Sequence, residues 1–502
     1  MAQLPRPRFC PSPCELKDKS LHPPLVSSDG QLAWEPLIWC PADFPSDLFE
    51  IAVSQLIHHP EYNSTLILRS ETVAETSSHF PPAIPTLQGI HPIRNVRRKL
   101  LPRRPGRDSG LEQHCTLYAS STEDDPSPLT LVLTPILEAS ASLPYYHPAV
   151  SHLAFRYILA ETPILRIEVV SFPSTPTGVN SRLYRTCLAL LETLHRYGWG
   201  AKTNYRKRVM HDCVIPREQY QDLYLVMRER HKHLVDTWQE VTDPLKHVFE
   251  DVGIATFLML LWKDTYQPEH SEASTLLLDD EPWKRWPRPP SGFLDLGCGN
   301  GLLTHILSAE GYEGHGIDLR ARTSWAHYPE STQTQLHVEA LDPTLITDPS
   351  YKSLYLRPGV FIIGNHADEL SPWVPVLSTL CSASGYLSIP CCPWTFDSKY
   401  ERSSTPTYGD SSAEFVESLN LGGDGSNSSS YSMYRIWLAS LSQYCGWKVE
   451  CEMLRIPSTR NWAIIGREKN RDATDSAREI VENVRERGIF KTRRPEGKAG
   501  EH

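Results

Sequence analysis

The spacing of apolar residues predicts two kinds of region along the chain. In the N-terminal half, "SDLFEIAVSQLI" has helical spacing, whereas "STLILRS", "LTLVLTPIL" and "ILRIEVVSF" are typical of strands. Long segments with helical spacing follow, up to about residue 240. We therefore expect a flexible, proline-rich arm at residues 1–42 and an N-terminal α+β and helical region at residues 43–240.

After the proline-rich break "EPWKRWPRPPSG", segments with strand and helix character alternate, which predicts an α/β domain with a mostly parallel sheet. Seven strands are indicated, at "GFLDL", "GHGIDL", "TQLHVEAL", "GVFIIGN", "GYLSIPC", "WKVECEMLRI" and "WAIIGR". Only "PSTRN" joins the last two, so they must pair as a hairpin and the final strand must run antiparallel. This domain should span residues 241–467, with a disordered insertion at about 401–430. A charged tail at 468–502 should contain one exposed helix around "DSAREIVENVRER".

Composition narrows the class of protein. The longest apolar run, from Val252 to Trp262, is about half the roughly 20 residues that a membrane helix needs. The N-terminus lacks the apolar core of a secretion signal, so we expect a cytoplasmic protein without a membrane span. Twelve cysteines in 502 residues are sparse and irregularly spaced, which predicts reduced thiols and no metal site.

The stretch "DLGCGNG" predicts a cofactor loop between a strand and a helix. Glycines let the backbone approach a ligand closely, and the loop offers Asp295, Gly297, Cys298, Gly299, Asn300 and Gly301 as contacts. Leu302 stands where a dinucleotide fingerprint has its last glycine, so S-adenosyl-L-methionine is favoured over NAD. A seven-stranded sheet with this loop is expected of a Rossmann-like class I methyltransferase.

Two further acids are candidates for the cofactor. Asp318 ends the second predicted strand, where a carboxylate can accept hydrogen bonds from both ribose hydroxyls in S-adenosylmethionine and NAD enzymes alike. Asp342 follows the third strand. It could contact the adenine, or it could cap the next segment through its Asp-Pro turn.

The catalytic candidates follow the later strands, because open parallel sheets bind ligands beyond the carboxyl ends of their strands. After "GVFIIG" come four polar residues that could orient a nucleophile or take its proton: Asn365, His366, Asp368 and Glu369. The cysteines of "IPCCPW" invite a nucleophilic role, but no base is evident nearby and buried cysteine is a common core residue. In the hairpin turn, Arg460 could hold a substrate phosphate or could be an ordinary solvated arginine.

Two basic strings are unusual in a chain with a net charge of −10. Seven Lys or Arg residues lie between Arg94 and Arg107, and Arg206, Lys207 and Arg208 form a second cluster. On charge alone, the favoured interpretation of these strings is that they are solvated loops.

Several distant strings together resemble the tRNA (uracil-2'-O-)-methyltransferase family. They include "RKLLPRRPGRD", "NYRKRVMHDCVIPREQYQDLY", "VTDPLKHVFEDVGIATFLMLLW", "GNHADELSPWVPVLS" and "RIPSTRNWAIIG", and the resemblance runs from about residue 90 to 467. Members methylate the ribose of the uridine at position 44 of serine tRNA, beside the variable arm, with S-adenosylmethionine. The resemblance implies cofactor contacts at Asp295, Gly297, Gly299, Gly301 and Asp318, whereas the catalytic base stays unassigned.

The resemblance gives the basic strings a purpose, because phosphate contacts would position a folded RNA. The candidates are Arg97, Arg98, Lys99, Arg103, Arg104, Arg206, Lys207, Arg208 and Arg460. The alternatives are a methyltransferase that acts on another RNA base or a small molecule, and an RNA-binding protein with a non-catalytic methyltransferase fold.

Overall fold

The computed structural model describes residues 6–120, 127–137, 142–205, 209–266, 280–402, 405, 407–408, 412–422, 427–488 and 490. The chain divides into two compact units, Met1–Arg206 and Lys207–His502. The boundary that the sequence suggests near residue 240 therefore falls inside the second unit. The reason is that the helix Arg217–His231 packs on the helix Pro244–Thr265 and shares its apolar core.

The first unit is built on one eight-stranded sheet. Its strands are β1 (Ser12–Pro13), β2 (Glu35–Pro41), β3 (Ile67–Thr76), β4 (Ile90–Pro102), β5 (Leu111–Ser120), β6 (Thr130–Ile136), β7 (Val150–Ile158) and β8 (Ile164–Ser171). They lie in the order β1-β2-β8-β7-β6-β5-β4-β3, and every neighbouring pair is antiparallel. From β3 to β8 the sheet is thus a simple meander.

Two long helices pack against this sheet. The helices of the unit are α1 (Leu16–Leu21), α2 (Phe49–His58) and α3 (Arg182–Lys202). The buried residues of α2 are Phe49, Ala52, Val53, Leu56 and Ile57, which share one helical face. This face and the buried leucines of α3 join inward-facing strand residues in one core.

The expectation of a flexible arm up to residue 42 is wrong for residues 22–42. Strand β2 pairs with β8, and its Ile38 is fully buried. The buried ion pair of Arg166 and Glu168 also fixes the segment that precedes β2. Arg166 donates to the carbonyl oxygen of His22 over 2.7 Å, and Glu168 accepts from Leu25 N over 2.7 Å. A buried charge pair that is fully hydrogen-bonded is costly to break, so it anchors this segment firmly.

The second unit contains a seven-stranded sheet. Its strands are β9 (Phe293–Leu296), β10 (Gly314–Asp318), β11 (Leu336–Val338), β12 (Phe361–Asn365), β13 (Gly385–Ile389), β14 (Trp447–Met453) and β15 (Trp462–Lys469). The order is β11-β10-β9-β12-β13-β15-β14. β15 alone runs in the direction opposite to the other six strands, and it pairs with β14 in the hairpin that the short connection predicts.

Helices cover both faces of this sheet. They are α4 (Arg217–His231), α5 (Pro244–Thr265), α6 (Leu302–Ala309), α7 (Glu330–Gln333), α8 (Trp373–Leu380), α9 (Ala413–Ser418), α10 (Ser430–Tyr444) and α11 (Thr474–Arg487). Adjacent strand residues face opposite cores: Phe361 packs with α4, α5 and α6, and Ile362 packs with α8, α10 and α11. None of the helices in the described residues has the length and apolar character needed to cross a bilayer.

Two C-terminal predictions need correction. The expected disordered insertion at 401–430 includes α9 and the core residues Leu419 and Leu421; its residues 403–404, 406, 409–411 and 423–426 lie outside the described residues. The charged tail contains α11, which buries Ala477, Ile480, Val481 and Val484 against the second unit's core. Apolar residues spaced along one face of a mostly charged helix explain this packing.

Candidate active site

Three glycines in left-handed backbone conformation shape the turn after β9. The angle φ is 76° at Gly297, 55° at Gly299 and 74° at Gly301, a region that residues with a Cβ rarely adopt. A Cβ on Gly301 would also lie 2.8 Å from the Leu336 side chain. The N–H of Gly299 donates to Asp318 Oδ2 over 2.9 Å, which ties the loop to the end of β10.

The side chains of the two non-glycine residues in this turn make contacts within the protein. Cys298 is buried and packs with Trp325 and Leu336. Asn300 Oδ1 accepts a hydrogen bond from Leu302 N over 3.0 Å at the start of α6. Neither residue lines the neighbouring cavity. The structure thus gives these two predicted cofactor contacts a supporting role for their side chains.

A cavity of about 250 Å³ lies at the carboxyl ends of β9, β10 and β12. Six residues that the sequence predicts for cofactor binding or catalysis line it: Gly297, Gly299, Asp318, His366, Asp368 and Glu369. They come from three separate strand ends, which the parallel sheet brings to one edge. The fold therefore brings six of the twelve predicted cofactor and catalytic residues to one cavity.

The cavity wall also contains residues that the sequence did not single out. Leu319 and Leu341 supply apolar surface, Arg322 and Glu339 supply charge, and Phe490 reaches the wall from beyond α11. Leu319 directly follows Asp318, so its place beyond a strand end is the signal that could have found it. Nothing in the sequence marks Phe490.

Asp342 takes the capping role of the two that the sequence leaves open. Its Oδ1 accepts from Thr344 N over 2.9 Å and from Thr344 Oγ1 over 2.6 Å, at the start of the 3-10 turn Pro343–Thr347. Glu339, three residues earlier, lines the cavity instead. Burial raises the pKa of Glu339.

Two carboxyl groups lie close together beneath the glycine loop. Asp295 is 2% exposed and accepts from Thr304 Oγ1 over 2.9 Å. Burial raises the pKa of Asp295 to about 7. Burial, together with the neighbouring charges of Asp295 and Glu250, raises the pKa of Asp251 on α5 well above its ordinary value. A cation bound beside Asp295 and Asp251 would stabilise their ionised forms, so this position suits a cationic part of a ligand.

Asp251 is a functional candidate that the sequence reasoning missed. It follows Glu250 inside the otherwise apolar part of α5, "VFEDVGIATF". The helix is fixed at its start by Asp243, whose Oδ1 accepts from Leu245 N over 3.0 Å. Two adjacent acids in a buried helical run are costly unless they have partners, and this was the available signal.

The turn after β12 connects two predicted catalytic residues to these acids. Asn365 Nδ2 donates to Asp251 Oδ1 over 3.4 Å, and His366 Nε2 lies 3.2 Å from Glu250 Oε1. Although burial opposes it, the hydrogen bond and charge of His366 keep the pKa of Glu250 below its ordinary value. The buried Nδ1 of His366 has no hydrogen-bond partner among the described residues.

His366 and Asp368 are both non-glycine residues with positive φ, at 52° and 44°. Such conformations cost about 1–3 kcal/mol each and persist where the surrounding structure holds them. The tight turn aims both side chains at the cavity that they line.

Asp368 also contacts the first cysteine of "IPCCPW". Cys391 Sγ donates to Asp368 Oδ1 over 3.2 Å, and with Cys392 these ligand atoms lie within 4.8 Å of one another. Three such atoms could hold a metal ion, and the absence of a metal site stays a prediction. Burial and the Asp368 carboxylate raise the pKa of Cys391, so its thiol stays protonated and is a poor nucleophile.

The first basic string lies on a strand and its following turn, not in a loop. Because side chains alternate along β4, Arg97 and Lys99 are exposed while Arg98 is 4% exposed. The Arg98 guanidinium donates to Leu56 O over 2.8 Å and to Gln113 Oε1 over 2.6 Å. The prediction that Arg98 contacts RNA is therefore wrong, since its donors are used inside the protein.

The remaining basic candidates differ in their surroundings. Arg97 pairs with Glu112 at 2.5 Å, whereas Arg103 and Arg104 are exposed after the end of β4. In the second unit, Arg460 is exposed in the turn between β14 and β15, with its guanidinium 3.8 Å from the ring centre of Tyr431. Arg206, Lys207 and Arg208 lie outside the described residues.

Comparison with known proteins decides the family. Residues 12–208 match the family model described as "TRM44-like, N-terminal bet v1-like domain". Residues 214–279 and 281–343 match the model described as "Predicted AdoMet-dependent methyltransferase". The tRNA (uracil-O(2)-)-methyltransferase of Schizosaccharomyces pombe is 33% identical, covering 95% of this chain and 96% of its own. The chain belongs to the tRNA (uracil-O(2)-)-methyltransferase family.

Other members of the tRNA (uracil-O(2)-)-methyltransferase family align over similar lengths. The protein of Neurospora crassa is 32% identical over 93% of each chain, and that of Saccharomyces cerevisiae is 29% identical over 90% of this chain and 88% of its own. No solved structure matches this chain. Membership confirms the resemblance that the sequence strings indicate, and it makes the protein an S-adenosylmethionine-dependent methyltransferase.

Proposed function

We propose that the protein transfers the methyl group of S-adenosylmethionine to the ribose 2′ oxygen of a uridine in tRNA. The observation that carries the proposal is the single cavity in which the glycine loop, Asp318 and His366 meet. Relatives that align over nearly the whole chain carry the name tRNA (uracil-O(2)-)-methyltransferase, which supports tRNA as the substrate. The second unit is then a Rossmann-like class I methyltransferase domain.

The residues of the cavity fit this cofactor. Asp318 stands at the end of the second strand, where a carboxylate accepts from ribose hydroxyls. Asp295 and Asp251 are buried carboxyl groups near the glycine loop that have no cationic hydrogen-bond partner among the described residues, and a bound cation would favour their ionised forms. Leu319 and Leu341 provide apolar surface for a base. When bound, the cofactor supplies a methyl group on a cationic sulfur.

We infer that His366 is the catalytic base. A ribose hydroxyl is weakly acidic, so in-line attack on a methyl group is assisted by a group that accepts its proton. Glu250 holds Nε2 of His366, so the proton would go to Nδ1, which has no partner among the described residues and becomes accessible when the side chain turns toward the cavity. Asn365 supports Asp251, while Asp368 and Glu369 line the cavity where they can orient the acceptor.

The first unit is proposed to bind the tRNA, with serine tRNA and its uridine at position 44 as the substrate. Support comes from the exposed cations of β4 and its following turn, Arg97, Lys99, Arg103 and Arg104.

The proposed compartment is the cytoplasm. All twelve cysteines are unpaired, which fits a reducing compartment.

The test is to incubate the purified protein with labelled S-adenosylmethionine and total tRNA, and to map the labelled nucleotide after nuclease digestion. We expect label on the ribose of a uridine beside the variable arm of serine tRNA. Label on a base would support the alternative of a base methyltransferase. Cofactor and tRNA binding without transfer would support an RNA-binding protein with a non-catalytic fold.

A further inference from the structure

A second and larger cavity in the second unit is lined by none of the residues to which a cofactor or catalytic role is assigned above. It is a cleft of about 770 Å³, within the roughly 300–1,000 Å³ that holds small organic ligands. Its floor is one face of α6, with Leu302, His305 and Ala309 at helical spacing. These positions span about 10 Å along the helix.

Two aromatic side chains that line this cavity, which we call the α6 cleft, each stack on a histidine ring. Tyr328 stacks on His305, with ring centres 4.5 Å apart and planes 16° apart. Across the cleft, Trp238 stacks on His247 with planes 8° apart. Such supported rings are rigid, so they lose little freedom when a flat ligand stacks on them. Every nucleobase offers a flat face of this kind.

The charges in the cleft are already compensated. Its only carboxylate among the described residues, Glu310, accepts from His231 Nε2 over 2.7 Å, from Arg230 Nε over 2.9 Å and from Trp283 Nε1 over 2.7 Å. Arg230 also pairs with Glu281 at 2.5 Å. A phosphate would therefore find no uncommitted strong cation here, which argues for a neutral ligand surface.

The polar side chains that line the α6 cleft include three further histidines, whose imidazole nitrogens can form hydrogen bonds with the edge of a base. His233 Nδ1 lies 2.9 Å from the carbonyl oxygen of Arg230, and His305 Nδ1 lies 2.9 Å from Thr332 Oγ1. Each ring therefore keeps Nε2 for a ligand, and the exposed His327 also lines the cleft. Burial lowers the pKa of His305 to about 4, so this ring is neutral near pH 7.

The α6 cleft adjoins the cofactor cavity through the glycine loop. Ser324 Oγ donates to the carbonyl oxygen of Asn300 over 2.8 Å, and Trp325 Nε1 donates to that of Gly299 over 3.0 Å. Gly299 lines the cofactor cavity, while Leu302 and Ser324 line the cleft. A nucleotide next to the one being methylated could reach this cleft.

We propose that the α6 cleft binds an unpaired base of the substrate tRNA by stacking and imidazole contacts. This inference rests on the proposed function, because it needs tRNA as the substrate. It predicts a contribution to RNA affinity that salt does not screen, in contrast to the phosphate contacts expected of the first unit. Removing a stacked base contact should weaken tRNA binding by roughly 10-fold.

The experiment compares the double variant His233→Ala/His327→Ala with wild type and with His211→Ala, an exposed histidine of the same unit outside the cleft. The dissociation constant for serine tRNA is measured across a range of KCl concentrations. We expect the cleft variant to bind about 10-fold more weakly at every salt concentration, with an unchanged slope. Its affinity for S-adenosylmethionine should equal that of wild type, which shows that the unit is folded.

A second pair of variants tests the stacked ring. Tyr328→Phe should bind tRNA like wild type, whereas Tyr328→Leu should not, since only the first keeps a flat ring. Normal tRNA affinity in both the double variant and Tyr328→Leu would overturn the inference. So would a reduced salt slope, which would indicate phosphate contacts instead.

Failure of the inference and failure of the proposed function are distinguishable. If wild type methylates the ribose of a tRNA uridine and the cleft variants bind tRNA normally, only the cleft inference falls. If wild type transfers no methyl group to tRNA and does not bind it, both fall. Protection of the cleft by a protein partner instead of tRNA, seen by hydrogen exchange, would also overturn the inference.

Discussion

The turn after β12 and the strand β4 differ in how they present their polar residues. His366, Asp368 and Glu369 follow a strand end, and all three line one cavity. Arg97 and Arg98 lie within a strand, and alternation sends one to solvent and the other to the core. A strand end can aim successive polar side chains at one ligand, whereas the middle of a strand divides them between two faces.

The largest effect is expected at the strand end itself. His366→Ala should lower kcat by about 10²–10⁴-fold, because a positioned base contributes about that much. Affinity for S-adenosylmethionine, measured by calorimetry, should change little. Glu250→Gln should give a smaller loss in kcat with unchanged cofactor affinity, since it removes the charge behind the imidazole but keeps an acceptor. Full activity of His366→Ala would remove this turn from the chemistry.

Variants of Asp318 and Asp342 test which of these two acids, each of which follows a neighbouring strand, binds the cofactor. Asp318→Ala should weaken S-adenosylmethionine binding by about 100-fold, because it removes a charged acceptor and also the partner of Gly299 N. Asp342→Ala should bind nearly normally and lose about 1 kcal/mol of unfolding free energy, as expected for a lost cap. Calorimetry and chemical denaturation measure the two effects. The reverse ranking of affinities would mean that the cofactor contacts are misassigned.

Within β4, the two neighbouring arginines should behave oppositely. Arg98→Ala leaves buried carbonyl groups such as that of Leu56 without a donor, so the first unit should lose about 3 kcal/mol of unfolding free energy. Arg97→Ala removes an exposed ion pair and should cost less than about 1 kcal/mol. Denaturant unfolding of both variants measures the difference. Equal losses would show that alternation along β4 does not decide the roles of these residues.

Sequence reasoning succeeded where a backbone constraint accompanies the chemistry. The glycine loop, Asp318 and the final hairpin could be predicted, because left-handed turns and a short connection leave few conformations. The placement of β4 could not be predicted from charge, since a basic string reveals nothing about which side chains face a core. Its apolar positions Val96 and Leu100 are buried, and they were the overlooked strand signal.

The parts of the site that were missed depend on long-range packing. Asp251 and Glu250 reach the cavity region because α5 packs across the sheet, more than a hundred residues before Asn365 and His366 in the chain. No local pattern reveals such a pairing. Burial of Leu419 and Leu421 in a low-complexity segment has the same cause, because Trp462 Nε1 donates to Leu419 O over 2.8 Å and fixes the segment against the core.

Arg103 and Arg104 follow the end of β4, so they should behave as exposed contacts. The double variant Arg103→Ala/Arg104→Ala should weaken tRNA binding a few-fold at low salt and reduce the slope of log K against log salt by about 1–2. Filter binding at several KCl concentrations measures the slope. Arg97→Ala, measured separately, tests the strand cation that pairs with Glu112. A slope equal to that of wild type in both variants would exclude Arg97, Arg103 and Arg104 from the RNA face.

The smallest effect concerns a proton beneath the glycine loop. Burial raises the pKa of Asp295 to about 7, so at pH 6 the free protein holds a proton there that the unfolded chain lacks. This group's contribution to stability is therefore present at low pH and is lost as pH rises from about 4 to about 7. A cationic cofactor should lower the pKa and release up to about one proton at pH 6. Calorimetry of S-adenosylmethionine binding in buffers of different ionisation enthalpy counts that proton.

Asp251, a neighbour of Asp295, also has a raised pKa, so the variants Asp295→Asn and Asp251→Asn are measured separately. If neither variant changes the proton count, the cationic end of the cofactor does not lie beside these acids, and the strand end alone forms the cofactor site.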